Sequence, residues 1–365
     1  MSTPDPGAKR PRQGLSTLDK LLPLWILLAM VIGVFLGYLV PGLADALNYW
    51  SIGTISIPIA IGLLWMMYPV LAKVKYEEIG KLKRESRMFG VSLALNWIIG
   101  PFLMFTLAWM LLFDLPEYRI GLILVGLARC IAMVLIWNMM AGGCSESCAV
   151  LVALNSIFQI IMYSFEAWFF ITYLPSIISP GAGSIVEVSI IEIAWSVIIF
   201  LGVPLAAGFI TRMTLIKKRS KEWYDSEFAP KLGPYALIGL LFTIVVMFSL
   251  KGDVIVALPF DVLRISIPLL LYFVIMFLVA FGLSYAMKFN YDKNVTISFT
   301  AASNNFELAI AVAIGVFGIG SGQALAAVVG PLIEVPVLVG LVYVSLWLGR
   351  KFYGRSPEDA VQCDA

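Results

Sequence analysis

The side chain with the clearest chemical potential is Glu307, which lies in the middle of a long apolar stretch. An ionisable group at that depth in a membrane is costly and therefore indicates a functional site. Ser303, Asn304 and Asn305 precede it, and three consecutive polar side chains compete with helical hydrogen bonding and favour a break. Unwound backbone within a membrane is tolerated only where it is buried or lines a cavity. The pattern predicts a polar site around Glu307; a simple polar contact between helices is the alternative.

Arg129 and Cys130 are a second pair of candidate residues inside an apolar stretch. A cationic neighbour can stabilise a thiolate, and the soft sulfur of cysteine prefers soft partners such as thiophilic metalloids. The alternative is that Cys130 packs as a small apolar side chain, which is the usual role of a buried cysteine. Cys144 and Cys148 share one helical face. No third ligand lies near them in the sequence, so we interpret this pair as incidental.

Glu334 is the third candidate, because it also lies within an apolar stretch and is flanked by Pro331 and Pro336. Prolines leave nearby carbonyls without helical partners. Glu334 is therefore expected to join a polar network or to carry a proton; a purely structural role is the alternative. Glu166 and Glu192 lie closer to the ends of their stretches, and exposure or snorkelling to the membrane interface is expected for both. Further polar side chains that could face the same interior are Asn96, Asn138, Asn155 and Gln159.

The composition indicates where this chemistry takes place. Of 365 residues, 61% are hydrophobic and 13% are charged, whereas a soluble domain is about 45–50% apolar and about 25% charged. The chain is therefore an integral membrane protein without room for a soluble enzyme domain. It contains no histidine, which excludes a Ser-His-Asp triad, a histidine-bound zinc and an imidazole proton relay. Proton handling must fall to carboxylates, Lys, Tyr or Cys.

Runs with few or no charges predict ten transmembrane helices. Basic residues test this number, because they collect on the cytoplasmic side of membrane proteins. All but four of the 25 Lys and Arg residues fall on one side of the predicted membrane. The exceptions are Arg119, Lys251 and Arg264, on the opposite side, and Arg129, inside a span. Both termini are therefore predicted to be cytoplasmic. The predicted spans are 21–40, 51–72, 88–113, 120–141, 147–173, 188–211, 232–250, 265–287, 295–319 and 322–349.

Ten spans can arise by duplication of a five-span unit. Because five is odd, the two copies would be inverted, as in many secondary transporters. The spans also predict one transporter domain between two cytoplasmic tails, in the cell membrane. The predicted boundaries are 1–20 for the first tail, 21–349 for the transporter domain with repeats at about 21–173 and 188–349, and 350–365 for the second tail.

A modest internal symmetry supports the duplication. Cys130 precedes Gly143 by 13 residues, and Glu307 precedes Gly320 by 13 residues. A helix rich in small apolar residues follows each glycine. Cys130 and Glu307 are therefore predicted to occupy equivalent places in spans four and nine.

The strings RCIAMV at 129–134 and NNFELA at 304–309 are the most specific of several that resemble the arsenical-resistance family of arsenite efflux permeases. That family belongs to the bile acid:sodium symporter superfamily, and the resemblance covers essentially residues 18–353. It implies an all-α fold of ten transmembrane helices in two inverted five-helix repeats. Broken helices four and nine would cross near the midplane, in a core domain that moves against a panel domain. The other similar strings lie at 57–74, 96–101, 127–134, 152–159, 303–314 and 321–343.

The resemblance implies export of As(III), with Cys130 and Glu307 as the functional pair. One thiol can bind arsenic transiently, and a carrier needs binding that is weak enough for release. Glu307 would exchange a proton for arsenite, since desolvation raises the pKa of a buried carboxyl. Arg129 would tune Cys130 or offset the charge of Glu307. The expected substrate contacts are Cys130, Glu307, Asn304, Asn305 and Arg129, and the expected proton carriers are Glu307 and Glu334.

The implied partners are arsenite, with antimonite as a related cargo, protons and the lipid bilayer. No enzymatic activity, cofactor, resident metal or nucleic-acid partner is expected, since a cysteine nucleophile would lack its usual base. The nearest alternative is a sodium-coupled symporter of an organic anion, because Ser303, Asn304 and Asn305 could supply oxygen ligands. The chain departs from the family at Met139, where an aspartate is common, and at Val70, where a second proline is common.

Overall fold

The computed structural model describes residues 21–40, 42–43, 46, 49–52, 55–77, 80, 85–178 and 188–354. The predicted tail at 1–20, most of the tail at 350–365 and Cys363 lie outside these residues. The described chain is helical apart from two short antiparallel strands, β1 Ser51–Ile52 and β2 Ile55–Ser56. Its helices are α1 Leu22–Leu39, α2 Ile57–Ala72, α3 Ser86–Leu111, α4 Pro116–Leu127, α5 Val134–Met140, α6 Ser145–Ile178, α7 Ile190–Lys218, α8 Lys221–Ala257, α9 Pro259–Ala286, α10 Tyr291–Ala302, α11 Phe306–Phe317 and α12 Gly322–Tyr353.

Seven of these helices are long and apolar enough to cross a membrane: α1, α3, α6, α7, α8, α9 and α12. Helices α2 and α11 are apolar but shorter. A helix suits this environment because it pairs its own backbone N–H and C=O groups, which hydrocarbon cannot do. The chain is thus an all-helical membrane protein, as its composition predicts.

The stretch 212–231, between the sixth and seventh predicted spans, is largely helical, since α7 continues to Lys218 and α8 begins at Lys221. The reason is Arg212, whose side chain is fully buried. Its guanidinium donates to both carboxylate oxygens of Glu77, at 3.0 and 2.5 Å, and lies 3.0 Å from a carboxylate oxygen of Asp225. Two carboxylates compensate the buried charge, so the helix can continue past the position that the sequence pattern reads as its end.

Four of the long helices contain one widened π-helical turn, and each turn ends two residues before a proline. The turns are Leu95–Ile99, Phe169–Tyr173, Ile198–Gly202 and Tyr224–Phe228, and the prolines are Pro101, Pro175, Pro204 and Pro230. Proline has no N–H and its ring clashes with the carbonyl four residues earlier. A wider turn relieves that clash without ending the helix.

Helices α1, α2, α7 and α8 pack together as one unit. Glycines bring their backbones close, because a Cβ atom at Gly33 of α1 would lie 2.6 Å from Cβ of Phe248 in α8. A Cβ atom at Gly208 of α7 would lie 2.7 Å from the backbone nitrogen of Ala72. Small residues at such contacts are the usual means of tight helix packing in membranes.

The remaining helices form a second unit that encloses two short interruptions. One interruption separates α4 from α5 and the other separates α10 from α11. Helix α12 packs along α4, where a Cβ atom at Gly121 would lie 2.5 Å from the carbonyl oxygen of Gln323. Helices α3, α6 and α9 complete the enclosure. The interruptions are therefore buried on all sides.

Removing the carboxylate of Glu77 should destabilise the fold in a pH-dependent way. Partial burial alone raises the pKa of Glu77, but its hydrogen bonds and charge pairing with Arg212 outweigh this and lower the pKa to about 2. Glu77→Gln should cost about 1–3 kcal/mol at pH 7, since it leaves Arg212 with one carboxylate. A group with a lowered pKa stabilises above its unfolded pKa and ceases to do so as the pH falls. The deficit should therefore shrink from about pH 5 towards pH 2.

The measurement is thermal unfolding of the purified full chain in detergent across that pH range. Asp114→Asn is the matched control, because it breaks the bidentate pair with Arg264 in which both side chains are largely exposed. Exposed pairs contribute little, so this variant should unfold near the wild-type temperature. A Glu77→Gln deficit that stays constant down to pH 2 would contradict the assignment.

Candidate functional site

The two interruptions contact each other through their backbones. Arg129 and Asn304 pair as an antiparallel β-bridge, and the N–H of Asn305 donates to the carbonyl oxygen of Ala128 at 3.1 Å. The side-chain amide of Asn304 also donates to the carbonyl oxygen of Val125 at the end of α4. Each break thus supplies partners for backbone groups that the other break leaves without helical bonds.

We call the place where the two interruptions meet the crossing. Two polar side chains from neighbouring helices hydrogen-bond to its backbone. Gln159 of α6 accepts from the N–H of Arg129 at 3.1 Å and donates to its carbonyl oxygen at 2.8 Å. Glu334 of α12 accepts from the N–H of Asn304 at 3.1 Å. Both clamps join residues that are 30 positions apart. Gln159 and Glu334 therefore play matching roles on the two sides of the crossing.

The predicted equivalence of Cys130 and Glu307 stays a prediction; in the bridge itself Arg129 pairs with Asn304, and Cys130 and Asn305 are the residues that follow them. The sulfur of Cys130 accepts from the N–H of Val134, the first residue of α5, at 3.3 Å. Asn305 is the N-cap of α11, and its side-chain oxygen accepts from the N–H of Leu308 at 3.0 Å. Helix α11 begins directly after Asn305, whereas three further residues separate Cys130 from α5.

Cys130 is buried at the crossing, with 3% of its surface exposed. Its thiol interacts with the hydroxyl of Ser303 and lies within electrostatic range of Glu307 and Glu334. The structure thus brings the cysteine and both predicted proton carriers to one place. Asn304 and Asn305 lie in the interruption that directly precedes Glu307.

Several polar atoms of this cluster have no hydrogen-bond partner among the described residues. They are Oδ1 of Asn304, Nδ2 of Asn305, Oε1 of Glu307 and Oε2 of Glu334. All four residues are at least 96% buried. Leaving a buried donor or acceptor unpaired costs about 1–3 kcal/mol, so these four atoms require an explanation.

Arg129 is completely buried, and its guanidinium contacts α4 and α9. Its Nε donates to the carbonyl oxygen of Leu127 at 3.4 Å, and Nη1 donates to the hydroxyl of Tyr272 in α9 at 3.0 Å. Gly100 of α3 makes room for it, since a Cβ atom there would lie 2.9 Å from Nη1. The charge of Arg129 acts on the carboxyls of Glu334 and Glu166. Tyr272 and Gly100 carried no sequence signal for this role.

Glu166 corrects the expectation of exposure, because only 4% of its surface is exposed. The signal that was available is its spacing of seven residues from Gln159, which places both side chains on one face of α6. Glu192 is exposed, as expected. Asn155 accepts from the indole of Trp97 at 3.2 Å, and Asn138 accepts from the hydroxyl of Thr296 at 2.8 Å.

The remaining polar candidates make contacts that do not include the thiol of Cys130. Asn96 donates to the hydroxyl of Ser92 at 3.3 Å. Cys148 is buried in α6, where its thiol interacts with Thr300, and the N–H of Cys144 donates to the hydroxyl of Thr296 at 3.0 Å. The described residues contain no cluster of three or more Cys, Asp or Glu side chains that could hold a metal ion.

A family model described as the sodium bile acid symporter family matches residues 60–258. The chain belongs to this family and is a transporter. It is 53% identical over 343 residues to the arsenical-resistance protein Acr3 of Corynebacterium glutamicum, covering 94% of this chain and 92% of the relative. It is 33% identical to the Acr3 of Alkaliphilus metalliredigens, covering 91% and 93% of the two chains. An uncharacterized transporter of Synechocystis is 35% identical, covering 96% and 94%. These findings confirm the family resemblance drawn from the sequence.

The hydrogen bond between Glu334 and Asn304 gives a prediction about stability. Glu334→Gln keeps a carbonyl oxygen that can accept from the N–H of Asn304, so it should unfold near the wild-type temperature. Glu334→Leu has a similar volume but leaves that N–H buried without a partner, which costs about 1–3 kcal/mol. Thermal unfolding of the two purified variants decides the matter. Equal destabilisation of both would mean that the charge of Glu334, rather than its hydrogen bond, holds the crossing.

Proposed function

We propose that this protein exports arsenite from the cytoplasm in exchange for protons and so confers arsenic resistance. The observation that carries the proposal is the cluster at the crossing, where the thiol of Cys130 faces buried carboxyls and amides with unpaired polar atoms. Two relatives named arsenical-resistance proteins, similar over more than nine-tenths of the chain, support arsenite as the cargo. Antimonite would engage the same thiol.

The chemistry of arsenous acid fits a site with one thiol. The molecule is small and mostly uncharged at neutral pH, so hydroxyl and amide contacts serve it better than a charge clamp. The thiol of Cys130 displaces one hydroxyl from arsenic, forming an S–As bond and releasing water, and water reverses the step on the other side. Several thiolates would hold arsenic too tightly for release, whereas a carrier needs a weaker site.

Proton coupling falls to Glu307, with Glu334 as a second carrier. Glu307 lies in the first turn of α11 next to Asn304 and Asn305, so a change in its charge is felt by the groups that contact the cargo. A proton that enters on Glu307 from outside frees the site for the return step. Glu334 senses the same exchange, because its carboxylate interacts electrostatically with Glu307 and accepts from Asn304.

We further propose ten membrane spans in two inverted repeats. The short pieces α4 with α5, and α10 with α11, would each count as one broken span, and α2 would count as one more. The matching clamps of Gln159 and Glu334, each 30 residues from its partner, support the repeat. Gly142 and Gly318, both with positive φ, lie just beyond the ends of α5 and α11. The sorting of basic residues supports cytoplasmic termini in a cell membrane.

Alternating access would move the unit of α3–α6 and α9–α12 against the unit of α1, α2, α7 and α8. A cavity of about 300 Å³ lies between α6 and α7, where the two units meet. Its lining residues are Tyr76, Ile157, Gly202, Leu205, Ala206 and Phe209.

A sodium-coupled symporter of an organic anion is the second candidate, because the matching family model is described by sodium and bile acid. Carboxylate, amide and hydroxyl oxygens near Glu307 could serve Na⁺. Everted vesicles separate the two candidates. Arsenite accumulation that needs sodium and ignores a pH gradient would favour the symporter and overturn proton exchange.

The site residues give a direct prediction in living cells. Cys130→Ser and Glu307→Gln should each abolish arsenite resistance in a sensitive host, because one loses the arsenic ligand and the other cannot exchange a proton. Cys148→Ser is the matched control, since Cys148 is also a buried free cysteine but lies outside the cluster. It should retain resistance. Membrane levels of all three variants are measured on blots, and full resistance in Cys130→Ser or Glu307→Gln would contradict the proposal.

A further inference from the structure

Lys251 is a buried charged residue that the proposed transport steps do not use. It lies in α8, and only 5% of its surface is exposed. Its ammonium group donates to the carbonyl oxygen of Ser321, the residue that precedes α12, at 3.4 Å. A buried lysine is costly and therefore indicates a function. The sorting of basic residues places Lys251 on the side opposite to the cytoplasmic termini, which we call the outer side.

The contact joins the two units of helices, and each end of it is firmly held in its own unit. Next to Lys251, a Cβ atom at Gly252 would lie 2.5 Å from the carbonyl oxygen of Val34 in α1. On the α12 side, the N–H of Gly322 donates to Oε2 of Glu117 in α4 at 2.9 Å. A Cβ atom at Gly322 would lie 2.5 Å from that oxygen. A movement of one unit against the other must therefore break the bond of Lys251.

A second close contact joins the two units on the same side of the membrane. A Cβ atom at Gly315, near the end of α11, would lie 2.8 Å from the hydroxyl oxygen of Ser196 in α7. The cavity between α6 and α7 lies further along α7, between Gly202 and Phe209, towards the buried Arg212. The units thus touch on the outer side and are separated by a cavity towards the cytoplasmic side.

The bond of Lys251 can open at low cost. The carbonyl oxygen of Ser321 also accepts from the N–H of Leu325 at 3.2 Å, so it keeps a partner when the lysine leaves. Helix α8 ends at Ala257, six residues beyond Lys251, which is about 9 Å along the helix axis. A long lysine side chain can extend over such a distance towards water. The contact therefore suits a bond that forms and breaks in each transport cycle.

We propose that Lys251 and Ser321 form an outer latch, which holds the two units together on the outer side and must open before the cargo can leave. The carboxylate of Glu117, bound to the N–H of the next residue, favours a cation at this place. The bond is independent of the cargo, whereas its role in release rests on the proposed function.

Labelling of a reporter cysteine tests the outer latch. Ser196→Cys places a thiol against Gly315, where a membrane-impermeant maleimide added outside reaches it only when the units separate. In this background, Lys251→Met should raise the labelling rate by about tenfold, since a hydrogen bond of a charged group biases an equilibrium by about that factor. Lys251→Arg keeps a charged donor and should label near the background rate. The chain without Ser196→Cys measures labelling of the native cysteines.

Arg264→Met is the matched control, because it removes another basic residue of the outer side whose partner, Asp114, lies in the same unit. It should leave the labelling rate unchanged. An unchanged rate in Lys251→Met, or an equal increase in Arg264→Met, would overturn the latch. Failure of Lys251→Met to reach the membrane would also overturn it, since a bond that opens in every cycle cannot be required for folding.

The labelling experiment is independent of arsenite, so absence of arsenite export would refute the proposed function and leave the latch to be decided by labelling alone. The sidedness of the reagent separates the latch from the proposed orientation. If Lys251→Met accelerates labelling only from the cytoplasmic side, the units still separate when the bond is lost, which supports the latch, while the orientation is wrong.

Discussion

The need to pair buried backbone groups governs this structure. A helix satisfies its own N–H and C=O groups, whereas a break inside a membrane exposes them to a medium that cannot. Here each break supplies partners for the other, through the bridge of Arg129 with Asn304 and the bond from Asn305 to Ala128. Gln159 and Glu334 then secure one break each from outside. Neither interruption would be stable alone, so the crossing is a single unit built from distant parts of the chain.

The same constraint explains why functional groups gather there. Side chains that accept hydrogen bonds from the first turn of a broken helix must be polar, and Cys130 and Asn305 do this for α5 and α11. Once the backbone is paired, amide and carboxyl atoms remain without partners in a buried place, which is what a polar cargo requires. Arg129 adds a fixed charge that must be neutralised. The proton chemistry that we propose for Glu307 then depends on which of the nearby carboxyls is ionised and so neutralises Arg129.

Much of this architecture could be read from the sequence, and the failures have physical causes. The break at Ser303–Asn305 was predictable because three adjacent polar side chains compete locally with the helix. The mutual pairing of the two breaks was not, because it joins residues far apart in the chain. Glu166 looked interfacial because a single sequence does not reveal which helix faces α6. The burial of Arg212 could not be read from the sequence because its partner Glu77 is distant in the chain.

We propose that the crossing couples arsenite to protons. Arsenite flux in sodium-free proteoliposomes, with the pH gradient and the membrane voltage set independently, tests it most directly. At zero voltage, we predict that a pH gradient alone drives arsenite towards the acidic side, in exchange for protons and against its own gradient. Glu307→Gln should abolish this drive. Flux that follows only the arsenite gradient or the voltage, whatever the pH gradient, would contradict it.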